Sequence, residues 1–167
     1  MFAERPSFAA VAEQNLDDVH AYLVYLTGDR TVAEDLTADT FEKALRSWRR
    51  YDPRRGSAKT WLCQIARTTA LDHFRAETAR RRREERAALL ERRPDEEPAF
   101  GELSPALTSA LHSLSAAERE VVALRVVLEL DTAAAARVLG ISATACSTRL
   151  SRALERLQSE VTANAVA

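Results

Sequence analysis

Apolar residues recur at helical spacing through most of the chain. Phe8, Val11, Leu16, Val19, Leu23 and Leu26 stand three to five residues apart, with Ala12 and Tyr22 filling the same stripe. That period predicts an amphipathic helix, and Gly28 follows it where a helix is commonly closed by a left-handed residue. A second helix is expected from Thr31, because Thr31 and Glu34 have the spacing of a capping box. Its apolar side runs through Val32, Leu36, Thr40 and Phe41, Ala44 and Leu45, to Trp48. Asp52-Pro53 and Gly56 then predict a loop. Ser57 is placed to cap a third helix bearing Trp61, Leu62, Ile65, Ala66, Ala70, Leu71 and Phe74. Three such stripes can bury a common core.

From about Ala76 the stripe gives way to "RAETARRRREERAALLERRPDEEPAFGELSP", with charge runs and Pro94, Pro98 and Pro105. It reads as a frayed helical extension followed by a flexible linker. Beyond it, Ser104-Pro105 supplies a cap and a proline at the first helical position. Ser115 and Glu118 form a second capping box. "TAAAARVLGISATACSTRLSRALERL" then gives a short helix, a turn at Gly140-Ile141-Ser142 and a longer helix with a polar face. This is the grammar of a helix-turn-helix, whose second helix suits a major groove. The fold class predicted is therefore all-α: two small helical domains, residues 1–78 and 104–167, joined by a charged flexible linker, 79–103.

Composition agrees. Only four glycines and five prolines in 167 residues leave few turns, and 46% hydrophobic content is enough to bury a core. Cys63 and Cys146 are far apart and sit in no Cys/His cluster, so neither a disulfide framework nor a metal site is expected. The first residues carry neither a basic n-region nor an apolar core, and no apolar run is long enough for a membrane span; a cytoplasmic protein with no membrane partner is the expectation.

Charge changes the picture more. The total is −1, but residues 1–42 hold two cations against nine acids, net −7, and residues 43–75 hold nine cations against two acids, net +7. A fold that keeps this separation presents an acidic and a basic face, and two partners of opposite charge are the simplest account. Two ordinary solvated helix faces are the alternative.

Three motifs carry a family resemblance. "AEDLTADTF" (33–41), "DPRRGSAKTWLCQIARTTALDHFR" (52–75), and "LSAAEREVVALR" with "AARVLGISATACSTRLSRALERL" resemble, in order, regions 2.2, 2.3–2.4 and 4 of the small, two-domain extracytoplasmic function (ECF) sigma factors of bacterial RNA polymerase. The resemblance spans about residues 8–157. It implies a transcription initiation factor, not an enzyme, with no cofactor. Its partners would be RNA polymerase core enzyme, promoter DNA and, clamped between the two domains, an anti-sigma protein. Glu34, Asp35, Leu36, Asp39, Thr40 and Phe41 would dock on a basic coiled coil of the largest catalytic subunit; region 4 would meet the second-largest subunit. Arg54, Arg55, Gly56 and Ser57 would help form a pocket for a flipped base of the −10 element. Lys59, Trp61, Arg67, Thr68, Asp72, His73 and Arg75 would line the adjoining single-strand surface, although Trp61 beside Leu62 and Ile65 reads better as core. Ser142, Thr144, Ser147, Thr148, Arg149, Ser151 and Arg152 would read the −35 element. Ser147 replaces a lysine usual in the family, and "DTAAAA" replaces polar residues usual in the short helix, so −35 binding is expected to be weak or of unusual sequence.

Three other readings compete, one of them a sigma-like chain degenerate in DNA reading that acts by sequestering a partner. A stand-alone helix-turn-helix regulator would need only residues 104–161, leaving the charges of 31–75 unexplained. An enzyme would need a catalytic or metal constellation, and Glu34, Asp35, Asp39, Asp72 and His73 show no ligand spacing, phosphate loop or activated nucleophile.

Overall fold

A computed structural model describes residues 6–87, 100 and 103–166. Among these the chain is helical throughout, with no strand. Helix α1 (Phe8–Thr27) is capped by Ser7, whose Oγ accepts from Ala10 N at 3.2 Å, and closes on Gly28 at φ 67°. Helix α2 (Arg30–Ser47) begins earlier than the pattern suggested. Its cap is Asp29, with Oδ1 accepting from Val32 N at 3.1 Å, so the expected capping box at Thr31 and Glu34 does not form. The left-handed turn at Gly28 leaves Asp29 extended between two helices, and aspartate is among the strongest capping residues. Glu34 is thus released from any capping duty.

A 3-10 turn (Trp48–Arg50) and a loop lead into α3 (Ala58–Ala87), capped by Ser57, which accepts from Thr60 N at 3.1 Å. The helix continues well past Ala76. Arg80 and Arg81 pair with Glu77 at three- and four-residue spacing along this exposed part, which supports a helix without a buried face. Pro94, Pro98 and most of the expected linker lie outside the described residues. The second unit comprises α4 (Pro105–Ser113), α5 (Ala116–Val122), α6 (Thr132–Leu139) and α7 (Ala143–Val166). Ser104 and the Ser115–Glu118 box cap the first two as the sequence predicts.

The two units share one continuous buried cluster, from Val11, Val19, Leu23, Leu36 and Leu62 to Leu111, Val121, Leu124, Leu139 and Cys146. Helix α6 packs on α3, and α1 packs on α5 and the turn after it. The alanines at 134–136 are buried at that crossing, where small side chains permit close approach of two helices. Phe100 lies in the same seam, 4% exposed, against Tyr25 of α1 at 6.0 Å and His112 of α4 at 5.2 Å. An apolar ring from the linker thereby joins the two units.

Two local features carry predictions. After α5 the backbone widens into a π-turn, Ala123–Val127, with Leu128 N bonded to Ala123 O, and exposed Glu129 follows at φ 54°. A non-glycine residue there costs about 1–2 kcal/mol, partly offset on substitution by glycine's larger unfolded-state entropy. Glu129→Gly is therefore expected to raise the urea midpoint, by about 0.5–1 kcal/mol in stability; a lowered midpoint would show that the Glu129 side chain contributes more than its backbone costs. Both thiols are buried, and burial pushes Cys63 up to about 12 and Cys146 above its ordinary value. Since the thiolate is the reactive form, the folded protein should be inert to a disulfide reagent at neutral pH and titrate two thiols once denatured.

Candidate functional site

Helix α2 sorts its carboxylates from its core residues by register. Glu34, Ala38, Phe41 and Leu45 follow at i, i+4, i+7 and i+11 and so share one stripe, with Asp35 and Asp39 on the stripe beside it. Glu34, Asp35 and Asp39 are exposed, and none is ion-paired among the described residues. An apolar groove runs beside them between α1 and α2, lined by Ala12, Glu13, Leu16, Glu34, Thr37, Ala38 and Phe41. Leu16 is 48% exposed and Leu45 57%, so both leave the core stripe in which the sequence pattern put them.

Leu36 and Thr40 are corrections in the other direction. Leu36 is 4% exposed, and Thr40 is fully buried with its hydroxyl donating to Leu36 O at 2.6 Å. Both side chains are buried within the fold and leave the exposed face of α2. The apolar side chains that this face exposes, fully or in part, are Leu16, Phe41 and Leu45.

Past the 3-10 turn, the loop at 52–57 is stiffened from both sides. Asp52 Oδ1 accepts from Arg54 N at 3.0 Å, Asp52 O accepts from Arg55 N at 3.0 Å, and the Tyr51 hydroxyl donates to Gly56 O at 3.3 Å. Beneath it, Trp48 stacks on Tyr51 at 4.9 Å, Trp61 packs against both, and Phe8 meets Trp48 edge-on at 5.5 Å. Trp61 belongs to this aromatic platform. Arg54 and Arg55 stand exposed above it, with exposed Ser57 capping α3.

Along α3 the expected strand-facing residues divide. Lys59 is bound to Asp18 of α1 at 2.6 Å, so at this point cation and carboxylate are mixed on one surface. Thr68 turns its hydroxyl onto its own helix, donating to Gln64 O at 3.0 Å. Asp72 pairs with Arg75 at 3.2 Å in solvent. His73 is half-buried against Phe74. Arg67 is taken up elsewhere, by Glu120 at 2.7 Å.

In the second unit, Gly140 at φ 66° closes α6, and Ser142 caps α7 by accepting from Ala145 N at 3.1 Å. Cys146 and Ala153 are buried; Thr144, Ser147, Thr148 and Ser151 lie on the opposite, exposed face at helical spacing. Arg152 is exposed at the edge of that face, in a groove with Glu118, and Arg149 is half-buried on its flank. Of Thr144, Ser147, Thr148, Ser151 and Arg152, only Arg152 is charged, and exposed Glu155 follows on the same stripe.

Residues 11–80 match the family model Sigma-70 region 2, and residues 104–157 match Sigma-70, region 4. The ECF RNA polymerase sigma factor SigC of Mycobacterium tuberculosis is 34% identical over 143 residues, covering 84% of this chain and 75% of that protein. The chain belongs to the ECF sigma factor family. The ECF sigma factor BldN of Streptomyces coelicolor is 32% identical over 158 residues, and there the chain spans 60% of its relative's length. Among solved structures, the sigma factor RpoE in complex with the anti-sigma factor NepR, from Bartonella quintana, superposes with a TM-score of 0.76 at 26% identity, covering 93% of this chain and 96% of that one.

Within this sigma factor, the region 2 match covers α2 and most of α1 and α3, and the region 4 match covers α4–α6 and the first part of α7. Three residues that join the two regions were not singled out from the sequence: Tyr22, Glu120 and Arg137. Tyr22 hides in an apolar stripe. Glu120 carried a signal of its own, a carboxylate directly preceding the apolar run Val121–Leu124.

Proposed function

We propose that this protein is a transcription initiation factor that binds RNA polymerase core enzyme and directs it to promoters. The observation that best supports this is the pairing, within one unit, of unneutralised carboxylates beside an apolar groove with exposed arginines on a stiffened loop. Glu34, Asp35 and Asp39 meet a basic surface of the polymerase, with Leu16, Phe41 and Leu45 supplying apolar contact. Charge complementarity sets encounter rate and register, while desolvated apolar contact carries affinity.

Arg54 and Arg55, with Gly56 and Ser57, hold the opened −10 strand. Flipping a base out of the stack costs a few kcal/mol, offset by pocket contacts and by neutralised phosphates. Arg67, His73 and Arg75 extend this surface, and Trp61 serves it as support. Residues 1–78 act as the docking and −10 unit, 79–103 as linker, and 104–167 as the −35 unit. Thr144, Ser147, Thr148, Ser151 and Arg152 read the major groove, a face with little charge to grip phosphate. Ser147→Lys is accordingly expected to tighten binding to a −35 duplex several-fold and to steepen its salt dependence by about one counterion. The protein works in the cytoplasm as a stoichiometric factor and not as a catalyst. An anti-sigma protein is a further partner; the similarly folded RpoE is bound to one.

A gel shift on promoter fragments separates this from a stand-alone helix-turn-helix regulator. The expected result is a specific shift only when core enzyme is present. A specific shift by the chain alone, unchanged by core enzyme, would favour the regulator.

A further inference from the structure

Glu120 of α5 is the one charged side chain buried among the described residues, and it faces across the seam between the two regions. Its Oε1 accepts from the Tyr22 hydroxyl of α1 at 2.8 Å and from Arg67 Nε of α3 at 2.7 Å. Tyr22 is fully buried, and burial followed by the Glu120 charge holds its hydroxyl well above the ordinary tyrosine range, so it remains a donor. One carboxylate thus ties both helices of region 2 that flank the seam.

A second contact lies on the arginine loop. Arg137 of α6 donates to the Arg55 carbonyl, and a Cβ at Gly56 would lie 3.3 Å from Arg137 Nη1. Phe100 fills the seam between Tyr25 and His112. Region 4 therefore touches region 2 at the residues assigned to opened DNA. A guanidinium binds carboxylate and phosphate oxygens through the same planar fork. Held by Glu120 through Nε, with its side chain only 28% exposed, Arg67 presents a neutralised and largely covered guanidinium to a phosphate.

We propose that Glu120 is a built-in stand-in for DNA phosphate: in the closed chain it occupies Arg67, and only separation of region 4 from region 2 hands Arg67 to the promoter. The proposal rests on the −10 surface assigned above. It sets domain closure in competition with promoter binding through a named side chain. Binding of the two regions to separate sites on polymerase and promoter supplies the driving force for opening. The burial of Glu120 makes the closed state selective: parted from its donors, the carboxylate is stable only once water reaches it.

The test uses the full chain with dyes on Arg49→Cys and Glu155→Cys, two exposed positions in regions 2 and 4, the native thiols being buried. Energy transfer is compared between the otherwise unaltered chain and Glu120→Gln, which removes the charge and keeps the shape. Binding of a fluorescent A/T-rich single-stranded 20-mer is then measured without polymerase. The expected result is a fall in transfer and several-fold tighter oligonucleotide binding. Tyr22→Phe, which keeps the ring and the Glu120 charge, is expected to move both readouts the same way by less, and it carries the comparison should Glu120→Gln fail to melt cooperatively. The charge swap Arg67→Glu with Glu120→Arg should restore closure but not oligonucleotide binding. Unchanged transfer in both single variants overturns the latch. Reduced transfer with unchanged oligonucleotide binding overturns the masking of Arg67, and points to the promoter assignment itself, because transfer involves neither polymerase nor DNA.

Discussion

Asp35→Arg combined with Asp39→Arg is expected to abolish binding to RNA polymerase core enzyme while leaving the fold intact. Both side chains are exposed one turn apart, and neither loses an ion-pair partner on substitution. Exposed changes of this kind shift stability by no more than about 0.5 kcal/mol, so the melting curve should barely move. At the interface the same change replaces two attractions with two like-charge contacts, each worth several kcal/mol. A loss of roughly 4 kcal/mol, about a thousandfold in Kd, follows. Leu16→Ala with Leu45→Ala should weaken the same complex by removing apolar area that the free protein leaves in water. Immobilised core enzyme and purified variants give the measurement. Normal stoichiometric binding by the double arginine variant would show that this face docks nothing.

Removing the loop cations should act at a later step. Arg54→Ala with Arg55→Ala is expected to leave core binding unchanged and to reduce promoter opening at least tenfold, read by permanganate reactivity of unpaired thymines. The turn survives the substitution because it is held by the backbone N–H groups of Arg54 and Arg55 on Asp52, and by the Tyr51 hydroxyl on Gly56 O. What is lost is two phosphate partners, so the dependence of open-complex formation on log salt should fall by about two units. Reactivity equal to that of the unaltered protein would remove the loop from the account of melting.

Much of this was legible in the sequence, and for definite reasons. The helices of both units follow from apolar period and caps, since Gly28, Ser57, Ser104, Ser115 and Gly140 all act where their chemistry predicts. The cap of α2 departs from the expected one because two adjacent cap-competent signals compete, and Asp29 acts before Thr31 can. Leu36 and Thr40 fell within a motif whose alternate residues face opposite ways; a motif gives membership, while burial needs the register of α2 against α1 and α3. Leu16 shows the converse, an apolar residue at near-helical spacing that lands on the rim of a groove. Summed charge marks residues 43–75 as basic without showing which of their cations are already paired. Lys59 and Arg67 count as cations in the sequence, yet Asp18 and Glu120, one 41 positions before Lys59 and the other 53 after Arg67, already hold them. Such long-range pairs leave no periodic trace. The seam that joins the two units is likewise invisible in local pattern, because Phe100 is a single aromatic ring in a charged segment without helical period.

The central claim is that a carboxylate face and an arginine loop on one small unit join polymerase to opened DNA. Run-off transcription with purified core enzyme on genomic promoter fragments tests it most directly. Discrete transcripts that require this protein, vanish with Asp35→Arg and Asp39→Arg, and weaken with Arg54→Ala and Arg55→Ala are the predicted result. Transcription that is unaltered by the protein on every fragment, while the protein binds some of them alone, would contradict it.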